Sequence, residues 1–169
     1  MAKRHPQPVF LDTTVISNFA STDGITFLTT LLDSPVVVPA VREEIERGER
    51  AGYEYLGAAV ETLGESLAVR EVPSEADDSD IRDRLDIGEA ESILGALAHG
   101  GTIATDDLAA RRVAERRDLP VTGSIGLLVL GVEREQIDSK TADEWLDGWR
   151  KHRGYYAPVE SVKELLDDG

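Results

Sequence analysis

The sequence predicts an α/β fold: a parallel sheet covered by helices on both faces. Three observations carry that expectation. Short apolar runs rich in β-branched residues recur along the chain, as at residues 8–11 and 36–38. Segments with helical spacing separate them, and strands alternating with helices of this length imply parallel pairing. The first run, Val9-Phe10-Leu11, stops on Asp12, and the carboxyl edge of an open parallel sheet is where ligands bind.

Taken in order, residues 8–11 read as the first strand, followed by helices over 14–20 and 25–32. Val36-Val37-Val38 is the second strand, and Pro39 then stands where proline favours a helix start, opening a helix over 41–47. Helix is expected to continue over 51–63, with a short strand at 67–72 and an acidic, polar loop at 73–79. Residues 88–99 form an amphipathic helix, with Ala90, Ile93, Leu94 and Leu97 on one face, and Gly100-Gly101 ends it. Strands at 102–105 and 120–122 and helices at 108–117 and 125–132 complete the alternation. Two further helical patterns, 141–151 and 159–166, are joined through Gly154-Tyr155-Tyr156-Ala157-Pro158. Trp145 and Trp149 lie four apart on the first of these, a packing arrangement.

Length and composition bound what this chain can do. With 169 residues, 41% of them hydrophobic, the chain is long enough to bury its own core, and one domain over 1–169 is expected. It has no cysteine, which excludes disulfides and thiolate metal sites, and its three histidines do not make a zinc centre. The basic start, Met1 to His5, has no signal-peptide core after it, and the longest apolar stretch, 125–132, is too short to span a bilayer. A soluble, cytoplasmic protein with no membrane partner is expected. The net charge of −15 opposes a nucleic-acid partner at first sight. Yet the acids are spread along the whole chain, and the cations are 14 arginines against four lysines. That pattern fits a halophilic, salt-rich setting, where screening is strong and carboxylates keep a protein hydrated.

Besides Asp12, acids fall near Glu44, at Glu89 and at Asp106-Asp107, each at a strand end or on a helix beginning nearby. Together they suggest a carboxylate cage for a divalent cation, held mainly by oxygen. Each acid also has a plainer reading. Asp12 is placed to cap a helix. Glu43, Glu44 and Glu46 together make a solvated helix face. Glu89 and Glu91 are two apart, so at most one faces the site, and Glu89 is the choice. One of Asp106 and Asp107 is expected to cap the following helix. Thr13 and Thr14 either hydrogen-bond a metal-bound water or cap the first helix, and Ser124 caps its own helix or touches the site. Arg111, Arg112, Arg116 and Arg117 either reach phosphates or form a salt-bridged surface.

Five segments appear in a telling order: Leu11-Asp12-Thr13-Thr14-Val15-Ile16-Ser17, Val38-Pro39-Ala40-Val41-Arg42-Glu43-Glu44-Ile45, Asp86-Ile87-Gly88-Glu89-Ala90-Glu91-Ser92-Ile93, Thr105-Asp106-Asp107 with Ala110-Arg111, and Val121-Thr122-Gly123-Ser124-Ile125-Gly126-Leu127-Leu128. In that order they resemble a PIN-domain protein over nearly the whole chain, and most closely the VapC-like toxin relatives whose helix carries Gly-Glu-Ala-Glu. The resemblance implies a three-layer α/β/α fold with a central sheet of about four to five parallel strands and residues 139–169 packed on it as a helical extension. It further implies a metal-dependent endoribonuclease using Mg2+ or Mn2+, with Asp12, Glu44, Glu89 and Asp107 as ligands and Asp106 in support. The implied partners are RNA, a small antitoxin protein and a second copy of the chain. A catalytically weak PIN module that binds RNA or protein is the alternative. Thr14 stands where many relatives have asparagine, and Glu89 where many toxins have aspartate.

Overall fold

Val9, Phe10 and Leu11 form the central strand β1 (Val9–Leu11) of a computed structural model that describes residues 5–166, and all three side chains are buried. A strand covered on both faces needs an unbroken apolar run, and β2 (Pro35–Val37) and β4 (Thr102–Ala104) obey the same rule. Thr102 is admitted to the core because its hydroxyl donates to the Pro6 carbonyl at 2.7 Å. With β3 (Ala68–Val69) and β5 (Val121–Thr122) the sheet runs β3-β2-β1-β4-β5, every pair parallel. Helices flank it in a three-layer α/β/α arrangement.

The register sets where chemistry can sit. Val9 stands opposite Pro35 on one side and Thr102 on the other. The chain leaves β1 towards β2 and later returns to β4 on the opposite flank, so the crevice of such a sheet opens at the carboxyl ends of β1 and β4. Asp12 and Thr105-Asp106-Asp107 are the residues that follow those two strands.

Helices α1 (Thr13–Ser21) and α2 (Ile25–Leu31) follow β1, and α3 (Pro39–Arg50) follows β2 with Pro39 in its first turn. The expected helix over 51–63 is broken. Gly52 has φ +108°, a left-handed conformation open to glycine, and the chain restarts through a 3-10 turn at Glu54–Leu56 into α4 (Gly57–Thr62). The expected loop at 73–79 contains a 3-10 turn at Ser74–Ala76 and runs into the unforeseen α5 (Ser79–Arg84). Asp78 caps α5 by accepting from Asp80 N and Ile81 N, and Ile81 alone is buried, so no apolar period announces it.

The remaining helices are α6 (Ile87–His99), α7 (Leu108–Arg116), α8 (Ser124–Glu133) and α9 (Ser139–Arg153). On α9, Trp149 is fully buried, edge-on to Phe19, and its indole N–H donates to Thr22 Oγ1 at 3.2 Å. Trp145 meets Phe27 edge-on, so both tryptophans pack as their spacing implied. The helix expected at 159–166 is only a 3-10 turn, Val162–Leu165, held by a reciprocal cap between Ser161 and Glu164. The last part of the expected extension, 167–169, and the basic residues 1–4 lie outside the described residues. Among the described residues no helix is long and apolar enough to cross a membrane.

Candidate functional site

Asp12 continues β1 by one rung, its N–H donating to the Ala104 carbonyl at 3.0 Å, and its side chain is 3% exposed. Its Oδ1 accepts from Thr13 N at 2.7 Å, so it caps α1; its Oδ2 accepts from Thr105 Oγ1 at 2.8 Å and from Thr14 Oγ1 at 3.3 Å. Capping and site placement are therefore two uses of one carboxylate. Burial pushes its pKa up to about 6, against the pull of the Thr105 and Thr13 hydrogen bonds, with the charge of Asp86 adding to the rise.

On α3, Val41 and Ile45 face the core, and the three glutamates divide. Glu43 pairs with Arg47 and Glu46 with Arg42 at the surface. Glu44 turns the other way: its Oε2 accepts from Thr13 Oγ1 at 2.7 Å, and its Oε1 lies where a Cβ on Gly88 would come within 2.5 Å. The bare backbone of Gly88 is what lets this carboxylate lie against the start of α6.

Glu89 is in the first turn of α6, where Asp86 Oδ1 accepts from its N–H at 2.8 Å. A helix N-terminus ordinarily favours a carboxylate's charge. Here burial, followed by the charges of Asp86, Asp107 and Asp12, drives the Glu89 pKa up to about 8. The neighbouring acids outweigh the helix. Glu91 points elsewhere and lies 3.7 Å from the Arg82 guanidinium.

The two acids after β4 have separate duties. Asp107 caps α7, its Oδ2 accepting from Ala110 N at 3.0 Å, while its own N–H donates to Thr105 Oγ1. Asp106 reaches across to α8: Oδ1 accepts from Ser124 N at 2.8 Å, and Oδ2 accepts from Ser124 Oγ and from Asn18 Nδ2. Gly123 is the residue at the α8 cap position, so Ser124 serves by binding Asp106. Arg111 Nη1 donates to the Thr105 carbonyl at 2.9 Å. Arg117 pairs with Asp78, while Arg112 and Arg116 are exposed.

Four residues that sequence reasoning did not assign belong here. Thr105 joins Asp12 to the backbone of Asp107. Asp86 caps α6 and adds negative charge, legible as an acid three residues before Glu89. Asn18, four residues after Thr14 and so on the same face of α1, bridges Asp106 and Ser124. Arg153 donates from Nε to Asn18 Oδ1 at 2.6 Å across 135 positions, which no local pattern announces.

A cavity of about 970 Å3 opens beside these groups, and its lining includes Thr14, Asn18, Glu89, Asp106 and Asp107 together with Ile125, Val129, Tyr155 and Tyr156. Asp12 and Glu44 are not part of its lining. Among the described residues no three carboxylates or imidazoles are grouped so as to hold an ion between them. The acids form an array in which the charges of Asp86, Asp107 and Asp12 help to raise the pKa of Glu89. Such an array fits a hydrated magnesium or manganese ion, which takes one or two carboxylates and keeps several waters, better than a cation needing an all-protein cage.

A family model described as a PIN domain matches residues 8–168. No curated protein matches the chain.

Proposed function

The chain belongs to the PIN-domain family, and from that premise we propose that it is a metal-dependent endoribonuclease, the toxin of a VapC-like toxin–antitoxin pair. The observation that carries this reading is the electrostatic conflict at the sheet edge, where the charges of Asp12, Asp86 and Asp107 bear on Glu89, and burial with neighbouring charge raises the pKa of both Asp12 and Glu89. A fold keeps such a conflict at a cost, and a bound cation relieves it.

Asp12, Glu44, Glu89 and Asp107 are the residues proposed to hold Mg2+ or Mn2+, with Asp106 in support. When bound, the ion supplies acidity to a water and offsets negative charge on phosphate oxygens. The chain's own residues do the remaining work. Thr105 and Thr13 fix the two oxygens of Asp12, and Thr13 also fixes Glu44, so the acids are aimed before substrate arrives. Burial and the neighbouring acids favour the protonated form of Glu89 near neutrality, and a cation held there would favour the carboxylate. Hydrolysis joins a water oxygen to phosphorus and breaks the bond to the 3′ oxygen, leaving a 5′-phosphate and a 3′-hydroxyl. The same reading gives the chain a small antitoxin that covers the acids, a homodimeric state and a salt-rich cytoplasm.

The test is RNA cleavage in high salt with magnesium or manganese, comparing the native chain with Asp12→Asn and Glu89→Gln. Both substitutions are expected to lower the rate by at least about 100-fold while leaving the circular dichroism spectrum unchanged. Equal rates in all three chains overturn the reading. RNA binding without turnover by the native chain favours the non-catalytic module instead.

A further inference from the structure

The cavity beside the acids carries two arginines, Arg111 and Arg153, in its lining. In a chain with 33 acids against 18 lysines and arginines, guanidinium groups are drawn to carboxylates. Arg42, Arg47, Arg82, Arg84, Arg117 and Arg150 are all paired in that way. Among the described residues Arg111 and Arg153 share the lack of an ion pair with five other arginines, but these two line the cavity, and neutral groups hold both. Arg153 donates from Nε to Asn18 Oδ1 and from Nη1 to the Tyr55 hydroxyl at 2.8 Å, with its guanidinium 5.7 Å from the Tyr55 ring centre. Arg111 donates to the Thr105 carbonyl.

Neutral acceptors fix a guanidinium's direction without a direct ion pair. A guanidinium has five N–H donors, so Arg153 and Arg111 both keep donors for a ligand. Their placement is also specific. Asn18 links Arg153 to Asp106, since its Oδ1 accepts from Arg153 and its Nδ2 donates to Asp106 Oδ2. A Cβ on Gly123 would lie 2.7 Å from Asp106 Oδ1 and 2.8 Å from Arg111 Nη1. The two guanidinium groups therefore flank the Asp106 carboxylate within the cavity lining. The lining also includes apolar side chains such as Ile125 and Val129, and Tyr156, an aromatic side chain that is 86% exposed.

We propose that Arg153 and Arg111 form a phosphate clamp for an unpaired RNA strand, seating its backbone beside the acids while a base stacks on Tyr156. The clamp rests on the nuclease reading for its RNA but not for its chemistry, because planar guanidinium forks match phosphate oxygens whatever follows binding. Unpaired RNA is favoured because the exposed ring of Tyr156, among apolar side chains of the same lining, suits the face of a splayed base, which a duplex does not present.

The experiment is fluorescence anisotropy of a labelled single-stranded RNA with the full-length Glu89→Gln chain, over a series of KCl concentrations. Arg153→Gln and Arg111→Gln, each added to that chain, are expected to weaken binding about tenfold and to reduce the slope of log K against log salt by about 0.7 for each phosphate no longer held. Tyr156→Ala is expected to weaken binding about fivefold or more with the slope unchanged. Arg112→Gln, exposed on α7 and outside the cavity, is expected to change neither. Should Arg153→Gln unfold, Arg153→Lys is expected to keep the slope and lose affinity, since it retains charge without the fork. Slopes that are the same for Arg153, Arg111 and Arg112 variants, absence of RNA binding, or equal affinity for a duplex of the same sequence each overturn the clamp. A native chain that binds with arginine-dependent slopes but does not cut overturns the nuclease reading and leaves the clamp standing; cutting with unchanged slopes does the reverse.

Discussion

Glu89 and Asp12 make the acid site a source of instability when no cation is present. Both have folded-state pKa values above their ordinary ones, about 8 against 4.5 and about 6 against 3.8. The folded chain thus holds more protons than the unfolded chain between about pH 4 and pH 8, and stability falls as pH rises through that window. In EDTA the melting temperature is expected to drop from about pH 5 to about pH 8, and Glu89→Gln is expected to flatten the drop. Asp12→Asn removes a buried charge whose cost is on the order of 3 kcal/mol at neutral pH, so its ion-free melting temperature at about pH 8 is expected to exceed that of the native chain. A native melting temperature that rises with pH in EDTA contradicts these assignments. Thr105→Val tests the bridge between the two strand ends. Loss of its hydroxyl leaves Asp12 Oδ2 without its 2.8 Å donor and is expected to cost about 1–3 kcal/mol of stability and to weaken Mn2+ binding, read by calorimetry.

At the scale of elements, α6 is the piece that brings the third acid in, and Gly88 governs how close it comes to α3. Gly88→Ala puts a methyl into the space of Glu44 Oε1, 2.5 Å from an ideal Cβ, yet that oxygen is the end of a flexible side chain. Alanine also favours helix over glycine by about 1 kcal/mol. The variant is therefore expected to melt at or above the native temperature while cleaving RNA about tenfold more slowly. A variant that is both less stable and fully active contradicts the placement of Glu44. What the sequence could reveal follows the same lines. Strands such as Val9-Phe10-Leu11 were legible because burial on both faces demands consecutive apolar residues, and α6 because its buried face repeats at helical spacing. The six-residue α5 was not, since one buried side chain makes no period, and Gly52 broke an expected helix through backbone conformation alone. Asp12, Glu44, Glu89 and Asp107 could be named as candidates from their motifs, whereas the Arg153–Asn18 hydrogen bond depends on tertiary packing of α9 against α1.

For the whole molecule, a net charge of −15 sets the conditions under which any of this can be seen. Self-repulsion among surface carboxylates weakens the compact state, and added salt screens it within about 10 Å at 0.1 M. The melting temperature is expected to climb with KCl concentration at fixed pH; a flat or falling trend in circular-dichroism melts removes the salt-rich setting. The sheet order places the carboxyl ends of β1 and β4 side by side, and the cation proposed above would bind at that edge. Mn2+ titration followed by electron paramagnetic resonance reads that site directly. The native chain is expected to bind Mn2+ with an affinity that rises between about pH 6 and pH 8 as Glu89 gives up its proton, and Glu89→Gln to bind at least about tenfold more weakly with no such rise. Equal affinity in the two chains across that range would contradict a cation site at this sheet edge.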